Sequence, residues 1–141
     1  MLRGVPIHNL RIWTDGGSRG NPGPAAIGVV IEKDGLKEAR IGKCIGDATN
    51  NIAEYSAVLE AFEFVEANIG EASIEFFIDS ELVVRQLNGQ YKVKDANLKV
   101  FFLKIREKSL TLGGKIKFTH VRREQNREAD ELVNKALDSK C

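Results

Sequence analysis

The stretch WTDGGSRGNPGP, residues 13–24, combines one acidic residue with a loop rich in glycine and proline. It follows a short apolar run, Leu10 to Thr14, which predicts a β-strand. Glycines let a second backbone approach closely, and the two prolines stiffen the chain. Asp15 and its glycines therefore have two interpretations. The loop alone favours a hairpin turn. The alternative is a site where a carboxylate, held beside exposed backbone amides, brings a metal ion and a phosphate together. A nucleotide-hydrolase phosphate loop is disfavoured, because no Gly-Lys-Ser/Thr closes the run.

Size and composition predict one globular domain over residues 1–141, with residues 1–9 as a short N-terminal extension. The chain is 43% hydrophobic and 29% charged, which is ordinary for such a domain. No apolar run approaches the roughly 20 residues that a membrane-spanning helix needs. The first residues also lack the charged-then-apolar layout of a secretion signal. We therefore expect a cytoplasmic monomer with no membrane partner.

The cysteines and histidines are too few for a metal site of the zinc type. The chain has two of each, without the spacing such sites show. We expect Cys44 to be a small buried residue and Cys141 to be a free thiol. A bridge between them is the alternative, disfavoured because disulfides are rare in reducing compartments.

Charge is distributed unevenly along the chain. From Arg85 to Arg127 there are 12 basic and 3 acidic residues, a net charge of +9, which leaves −8 for the rest of a chain whose total is +1. This asymmetry fits a surface that faces a polyanion. Solvated helix faces would explain it equally well.

Periodicity and turn residues predict the element order βββαβααβα. Apolar and β-branched runs predict strands over residues 10–14, 25–32, 36–45, 74–78 and 115–121. Helical spacing predicts helices over 52–69, 80–87, 95 to the Gly113-Gly114 pair, and 126–139, with Asp95 able to cap the third of them. Lys33-Asp34-Gly35 predicts a tight turn between the second and third strands. The fold class is thus α/β, a mixed sheet flanked by helices.

Carboxylates fall near the ends of rigid elements at Asp15, Glu54, Asp79 and Asp130. Each has a structural alternative: Glu54 could complete a capping pair with Asn51, Asp79 could cap the following helix, and Asp130 could complement its helix dipole. Taken together, they are the ligands that hard cations such as Mg²⁺ or Mn²⁺ prefer.

Four motifs in this order resemble the type 1 ribonuclease H family. They are Thr14-Asp15-Gly16-Gly17-Ser18 with Gly20-Asn21-Pro22-Gly23, Thr49-Asn50-Asn51-Ile52-Ala53-Glu54, Asp79-Ser80, and Asn126-Arg127-Glu128-Ala129-Asp130. The resemblance covers residues 10–137 and implies a ribonuclease H-like fold with a mixed five-stranded sheet. Four motifs together are far more specific than any one of them.

The resemblance implies an endonuclease that hydrolyses the RNA strand of RNA–DNA hybrids and leaves 5′-phosphate and 3′-hydroxyl ends. Two Mg²⁺ ions, or Mn²⁺ in their place, would clamp the scissile phosphate. Asp15 would bridge both ions, Glu54 and Asp79 would complete the leaving-group site, and Asp130 the nucleophile site. Mutual repulsion within such a cluster is what divalent cations relieve.

Substrate contacts are carried over from the same family. The implied residues are Gly17, Ser18, Arg19, Gly20, Asn21, Thr49, Asn50, Asn51, Glu81 and Asn126. The glycine loop with Asn50 and Asn51 would follow the minor groove and its 2′-hydroxyls, which distinguish RNA from DNA. Thr49 would help seat a DNA-strand phosphate, although Thr49 or Asn50 could equally cap a helix.

The sequence departs from the family pattern in three places. Many members carry a histidine in the loop before the last carboxylate. Here His120 falls in a predicted strand, where we expect it to have a structural role. Arg123 is therefore the candidate for the role of the loop histidine. The connector 90–94 is too short for the basic substrate handle of some members, which leaves Lys92, Lys94, Lys99 and Arg122 for weaker phosphate contacts. Glu81 stands where relatives often have glutamine.

Two alternative functions remain open on the same fold. One is a catalytically silent domain that binds hybrid or RNA, which the presence of all four carboxylates argues against. The other is a nuclease that also cuts double-stranded RNA, whose A-form shape is partly shared with the hybrid.

Overall fold

The computed structural model describes residues 7–112, 115–139 and 141. Its elements are β1 (His8–Ser18), β2 (Gly23–Lys33), β3 (Leu36–Ala48), α1 (Asn50–Asn68), β4 (Ala72–Ile78), α2 (Glu81–Leu87), α3 (Ala96–Thr111), β5 (Ile116–His120), a short 3-10 helix (Arg123–Gln125) and α4 (Arg127–Asp138). Apart from the 3-10 turn, this is the predicted order. The helix end expected at Gly113-Gly114 lies outside the described residues. No helix within the described ranges is long and apolar enough to cross a bilayer.

The five strands form one mixed sheet in the order β3-β2-β1-β4-β5. The first three strands pair antiparallel, while β4 runs parallel to both β1 and β5. The tight turn predicted between β2 and β3 is confirmed, with Asp34 at φ 51° and Gly35 at φ 86°, the backbone that such hairpin turns require. The mixed five-stranded sheet is therefore confirmed.

Helices cover the sheet on both faces and bury two distinct apolar layers. The main core packs α1 and α3 on one face, and its largest fully buried side chains include Tyr55, Phe62 and Phe76. On the other face, a smaller cluster joins Ala26 of β2 to residues of α4 such as Val133. Each large buried apolar side chain contributes on the order of 1.5–3 kcal/mol. The sheet is thereby fixed between two helical layers.

The first strand is longer than predicted at both ends. It runs on through the glycines to Ser18, with Asp15 opposite Gly28, so the prediction that Asp15 ends the strand and shapes the turn was wrong. The connection to β2 lies at residues 19–22. His8 and Asn9 also belong to β1, so the predicted N-terminal extension was wrong for these two residues.

The cysteines differ from expectation as well. Cys44 on β3 and Cys141 form a disulfide, with Cα atoms 5.2 Å apart across 97 positions of sequence. Cys44 is exposed rather than buried, because β3 is the edge strand of the sheet. The bridge that the sequence left as an alternative is therefore present, and Cys141 is not a free thiol.

Candidate active site

Three of the four predicted carboxylates meet at the middle of the sheet. One oxygen from each of Asp15, Glu54 and Asp79 lies within 4.8 Å of the others. Thr14 of β1 pairs with Ile78 of β4 in the parallel ladder, so the residues that follow, Asp15 within β1 and Asp79 just after the end of β4, lie at the same level of the sheet. Parallel pairing of β1 and β4 is what brings two distant acidic residues together.

Glu54 reaches the cluster because α1 lies directly on the backbone of β1. A Cβ added to Gly16 would stand 2.2 Å from the carbonyl oxygen of Ala53, a contact that only glycine permits. The Gly16 N–H donates to Glu54 Oε1 at 3.1 Å. The alternative that Glu54 pairs with Asn51 as a helix cap was wrong, because the cap is the side chain of Thr49, which accepts from the Ile52 N–H.

Asp130 approaches from the opposite face by a similar contact. A Cβ on Gly28 would lie 2.2 Å from the carbonyl oxygen of Ala129, so the first turn of α4 lies on β2. Asp130 is close enough to Asp15 to raise the pKa of that carboxyl, and its Oδ2 accepts from Asn134 Nδ2 at 3.3 Å. It stands beside the three-carboxylate group as the fourth member.

Burial and mutual repulsion change the ionisation of these groups. The pKa of Asp15, which is 8% exposed, rises to about 8, first because of burial, then because of the charge of Asp79 and the hydrogen bond with Asp130. The pKa of Glu54 is raised by burial and by the charges of Asp15 and Asp79. With a pKa of about 8, Asp15 therefore retains its proton at neutral pH when no cation is bound.

The donor set suits a hard divalent cation. It offers carboxylate oxygens only, the ligand type that Mg²⁺ and Mn²⁺ favour. Among the ion pairs of the described residues, none involves one of the four carboxylates. Their charge is thus left to be neutralised by something that binds.

Arg123 and His120 occupy different surroundings. Arg123 lies in the exposed 3-10 turn, close enough for its charge to lower the pKa of Glu54 against the effect of burial. His120 ends β5 opposite Ile78, and its side chain is exposed. Of the two, Arg123 has the electrostatic link to the carboxylates.

The glycine loop and the start of α1 are linked by a small polar network. The Ser18 N–H donates to Asn50 Oδ1 at 2.9 Å, and the Asn50 N–H donates to Asn21 Oδ1 at 3.0 Å. Beside them is a cavity of about 270 Å³, whose polar lining residues are Asn21, Thr49, Asn50, Asn51, Asp95 and Asn97. The structure thus brings together the two segments that the family motifs implicate in substrate contact, with Gly17 half-buried and Gly20 in the loop's turn.

Three predicted substrate residues have other partners. Arg19 forms an ion pair with Asp138 near the end of α4, and Glu81 pairs with Arg85 one turn along α2 at 3.0 Å. Asn126 is 0% exposed. Its side chain therefore presents no surface to a ligand here, and the substrate contact of Asn126 stays a prediction.

Asn134, Asp95 and Asn97 were not predicted as site residues. Asn134 stands four positions after Asp130 on a predicted helix, a spacing at which side chains meet, so that contact could have been found. Asp95 was predicted only as a cap, which it is, accepting from the Leu98 N–H. That Asp95 and Asn97 also line the polar cavity depends on how α3 packs against α1, which no local pattern encodes.

Comparison with known proteins places the chain in a family. A family model described as reverse transcriptase-like matches residues 13–136. Ribonuclease HI of Halobacterium salinarum is 44% identical over 137 residues, 96% of this chain and 66% of that protein. A bifunctional protein of Mycobacterium tuberculosis is 37% identical over 135 residues, 91% of this chain and 35% of its own length. The chain thus spans about two thirds of the length of the first relative and about one third of the length of the second.

Solved structures agree with the sequence relatives. The ribonuclease H1 of the halophilic archaeon Halobacterium salinarum NRC-1 superposes with a TM-score of 0.87 at 42% identity, covering 93% of this chain and 98% of that one. LC11-RNase H1, solved in complex with RNA/DNA hybrid, gives 0.86 at 44% identity over 92% of this chain and 97% of that one. Sequence motifs, strand order and overall superposition agree, and the chain belongs to the type 1 ribonuclease H family, with the ribonuclease H-like fold.

Proposed function

We propose that this chain is an endoribonuclease that hydrolyses the RNA strand of RNA–DNA hybrids, leaving 5′-phosphate and 3′-hydroxyl ends. The observation that carries the proposal is the carboxylate group of Asp15, Glu54 and Asp79, with oxygens within 4.8 Å, in a member of a ribonuclease family. A homologue 44% identical to this chain was solved with RNA/DNA hybrid bound, which supports the choice of substrate.

The acidic cluster fits a pair of divalent cations. All of its ligand atoms are carboxylate oxygens, and the pKa of Asp15 is raised. A bound cation would reduce the repulsion between these carboxylates. Asp15, Glu54, Asp79 and Asp130 would hold two Mg²⁺ ions, or Mn²⁺ in their place. Bound there, such ions supply an activated water and stabilise the departing 3′ oxygen.

The residues of the chain itself orient this chemistry. The charges of Asp79 and Asp130 act on Asp15, and Asp15 in turn acts on Glu54, so Asp15 is the carboxylate that would contact both ions. The Gly16 N–H fixes one oxygen of Glu54 without cancelling its charge, because a neutral donor carries none. Arg123 is exposed and near Glu54, where it can meet the scissile phosphate or the product.

The polar network beside the cluster is suited to hold the hybrid. Backbone groups of residues 17–21, with Asn50 and Asn51, would follow the RNA strand and its 2′-hydroxyls. The polar cavity next to them would take a phosphate of the DNA strand. Thr49 Oγ1 accepts from the Ile52 N–H and keeps its own hydrogen to donate, so capping and phosphate contact are compatible in one hydroxyl.

Basic residues beyond Arg85 would add affinity that depends on salt. Lys92, Lys94, Lys99 and Arg122 are exposed on the connector, α3 and the segment before the 3-10 turn. If the four contact phosphates, the logarithm of hybrid affinity should fall against the logarithm of salt concentration with a slope of about −3 to −4.

One cleavage assay tests the proposal. Labelled hybrid, duplex RNA, duplex DNA and single-stranded RNA are incubated with Mg²⁺ or Mn²⁺, and the wild type is compared with Asp15→Asn and Asp79→Asn. We expect hybrid cleavage by the wild type, products that a polymerase extends from their 3′ ends, and loss of cleavage in EDTA and in both variants. Cleavage that persists in EDTA or in both variants would contradict the metal assignment, and binding without cleavage would favour a silent domain.

The same experiment settles the wider substrate range. Duplex RNA is the further substrate to test, since its A-form shape is partly shared with the hybrid. A cytoplasmic monomer remains the prediction for the chain's state, and its mass in solution by light scattering, with and without hybrid, tests the monomer.

A further inference from the structure

Asn126 is a buried amide that contacts two parts of the candidate site at once. Its Nδ2 donates to the Thr14 carbonyl oxygen at 2.9 Å and to Asp79 Oδ2 at 3.3 Å. The side chain is 0% exposed, and its Oδ1 is buried with no hydrogen-bond partner. An unpaired buried acceptor is costly, so the amide keeps its place through what the two donated bonds contribute.

The position of Asn126 in the chain connects it to a third part of the site. It is the residue from which α4 begins, yet its side chain makes no capping bond to the helix, although asparagine is among the best caps. Its carbonyl oxygen accepts from the Asp130 N–H at 3.1 Å, as the first main-chain bond of the helix. One residue therefore links the backbone beside Asp15, the carboxylate of Asp79 and the backbone of Asp130.

We infer that Asn126 is a positioning residue, which fixes Asp79 and the start of α4 relative to β1. The carboxylates of Asp15, Asp79 and Asp130 thereby converge in the arrangement that a divalent cation needs. This rests on the function proposed above and replaces the substrate contact that its motif suggested. The amide orients one oxygen of Asp79 without neutralising it, and the second oxygen is left for a ligand. Partners of metal ligands commonly act in this way.

A positioning role and a substrate contact predict different kinetics. Loss of a positioning bond weakens cation binding and lowers kcat, typically 10- to 100-fold, while KM for the hybrid stays within about threefold because no substrate atom reaches the side chain. Loss of a substrate contact would raise KM and leave cation affinity unchanged.

The test compares two substitutions with a matched control. Asn126→Ala removes the amide, and Asn126→Ser removes both donated bonds but supplies a favoured helix cap, which protects the start of α4. Asn88→Ala is the control, because the Asn88 amide likewise donates to a strand carbonyl, that of Phe118, at 3.1 Å but touches no carboxylate. Mn²⁺ binding to the substrate-free protein is measured by electron paramagnetic resonance, alongside kcat, KM and the melting temperature.

We expect both Asn126 variants to bind Mn²⁺ about tenfold or more weakly than the wild type, and to lose kcat with little change in KM, while Asn88→Ala matches the wild type in both. Mn²⁺ affinity and kcat within twofold of the wild type in a folded Asn126→Ser variant would overturn the inference, as would a change confined to KM. A wild type that binds Mn²⁺ but cuts no hybrid would refute the proposed function alone, since the comparison of Mn²⁺ affinities would still stand.

Discussion

Replacement of Asp15 by asparagine should abolish cleavage and yet stabilise the metal-free protein. Asp15 is 8% exposed and its pKa is raised from 3.8 to about 8. At pH 7 the unfolded chain ionises this group, and folding must return a proton to it. At 1.36 kcal/mol per pKa unit, the 3.2 units between 3.8 and pH 7 set an upper limit of about 4 kcal/mol on this cost. Asparagine resembles the protonated acid and carries no such cost.

Part of the raised pKa of Asp15 comes from repulsion that its neighbours share, so the gain should be smaller than this limit. We expect Asp15→Asn to raise the free energy of unfolding by about 2–3 kcal/mol, or the melting temperature by about 6–10 °C for a domain of this size. The assay is thermal unfolding followed by circular dichroism, in EDTA at pH 7. The gain should grow between pH 4 and pH 8, because below the unfolded pKa both states hold the proton. Saturating Mg²⁺ should narrow the difference, since the wild type binds the cation more tightly.

Cleavage of hybrid by Asp15→Asn should fall by more than about 100-fold, since a direct ligand matters at least as much as its outer partners. Asp47→Asn is the control, because Asp47 is an exposed acidic residue on β3 away from the cluster, and its melting temperature should stay within about 2 °C of the wild type. A metal-free Asp15→Asn protein that melts at or below the wild-type temperature would refute the electrostatic reasoning.

Four further outcomes are expected. Gly16→Ala should cost about 3 kcal/mol in the free energy of unfolding, because its Cβ would overlap the α1 backbone at 2.2 Å. Gly17→Ala should change that free energy by under about 1 kcal/mol, because its Cβ would lie 3.7 Å from the nearest atom. Equal losses of stability for the two variants in urea unfolding would contradict this. Thr14→Val should stabilise by about 1 kcal/mol, because the buried Thr14 hydroxyl has no partner; a lower denaturation midpoint would show that the hydroxyl is bonded. Cys44→Ala should cost about 2–4 kcal/mol through loss of a bridge spanning 97 positions, and a reductant should lower the wild-type melting temperature but not that of the variant. Mg²⁺ affinity, by calorimetry, should rise from pH 6 to about pH 8 and then level off, because the cation must displace the proton that Asp15 holds; a flat profile would contradict the raised pKa.

Local signals in the sequence were enough for most of the fold. The turn at Asp34-Gly35, the cap at Asp95 and the helical spacing in α1 depend on near neighbours, and each is present in the structure. The four carboxylates were singled out by their places near element ends and by the family resemblance, and three of them lie together in the structure. The sequence alone did not show which helix would pack against which glycine of the sheet.

Long-range contacts account for the misses. β1 continues through Gly16 and Gly17 because β2 pairs with it there, while the local pattern of Asp-Gly predicts a turn. The disulfide joins residues 97 positions apart, and nothing near either cysteine signals the other. Asn126 lies in a site motif, but only the packed structure shows its amide pointing inward to Thr14 and Asp79.

Gly16 and Gly28 have a consequence for how this protein can change. At each, a helix touches the sheet main chain to main chain, at the alanine directly before a carboxylate, Ala53 or Ala129. The height of both helices above the sheet is thus set by atoms common to every amino acid and not by side-chain volume. Mutation can therefore exchange large residues elsewhere in the core and alter stability, while the spacing of the acidic residues is retained.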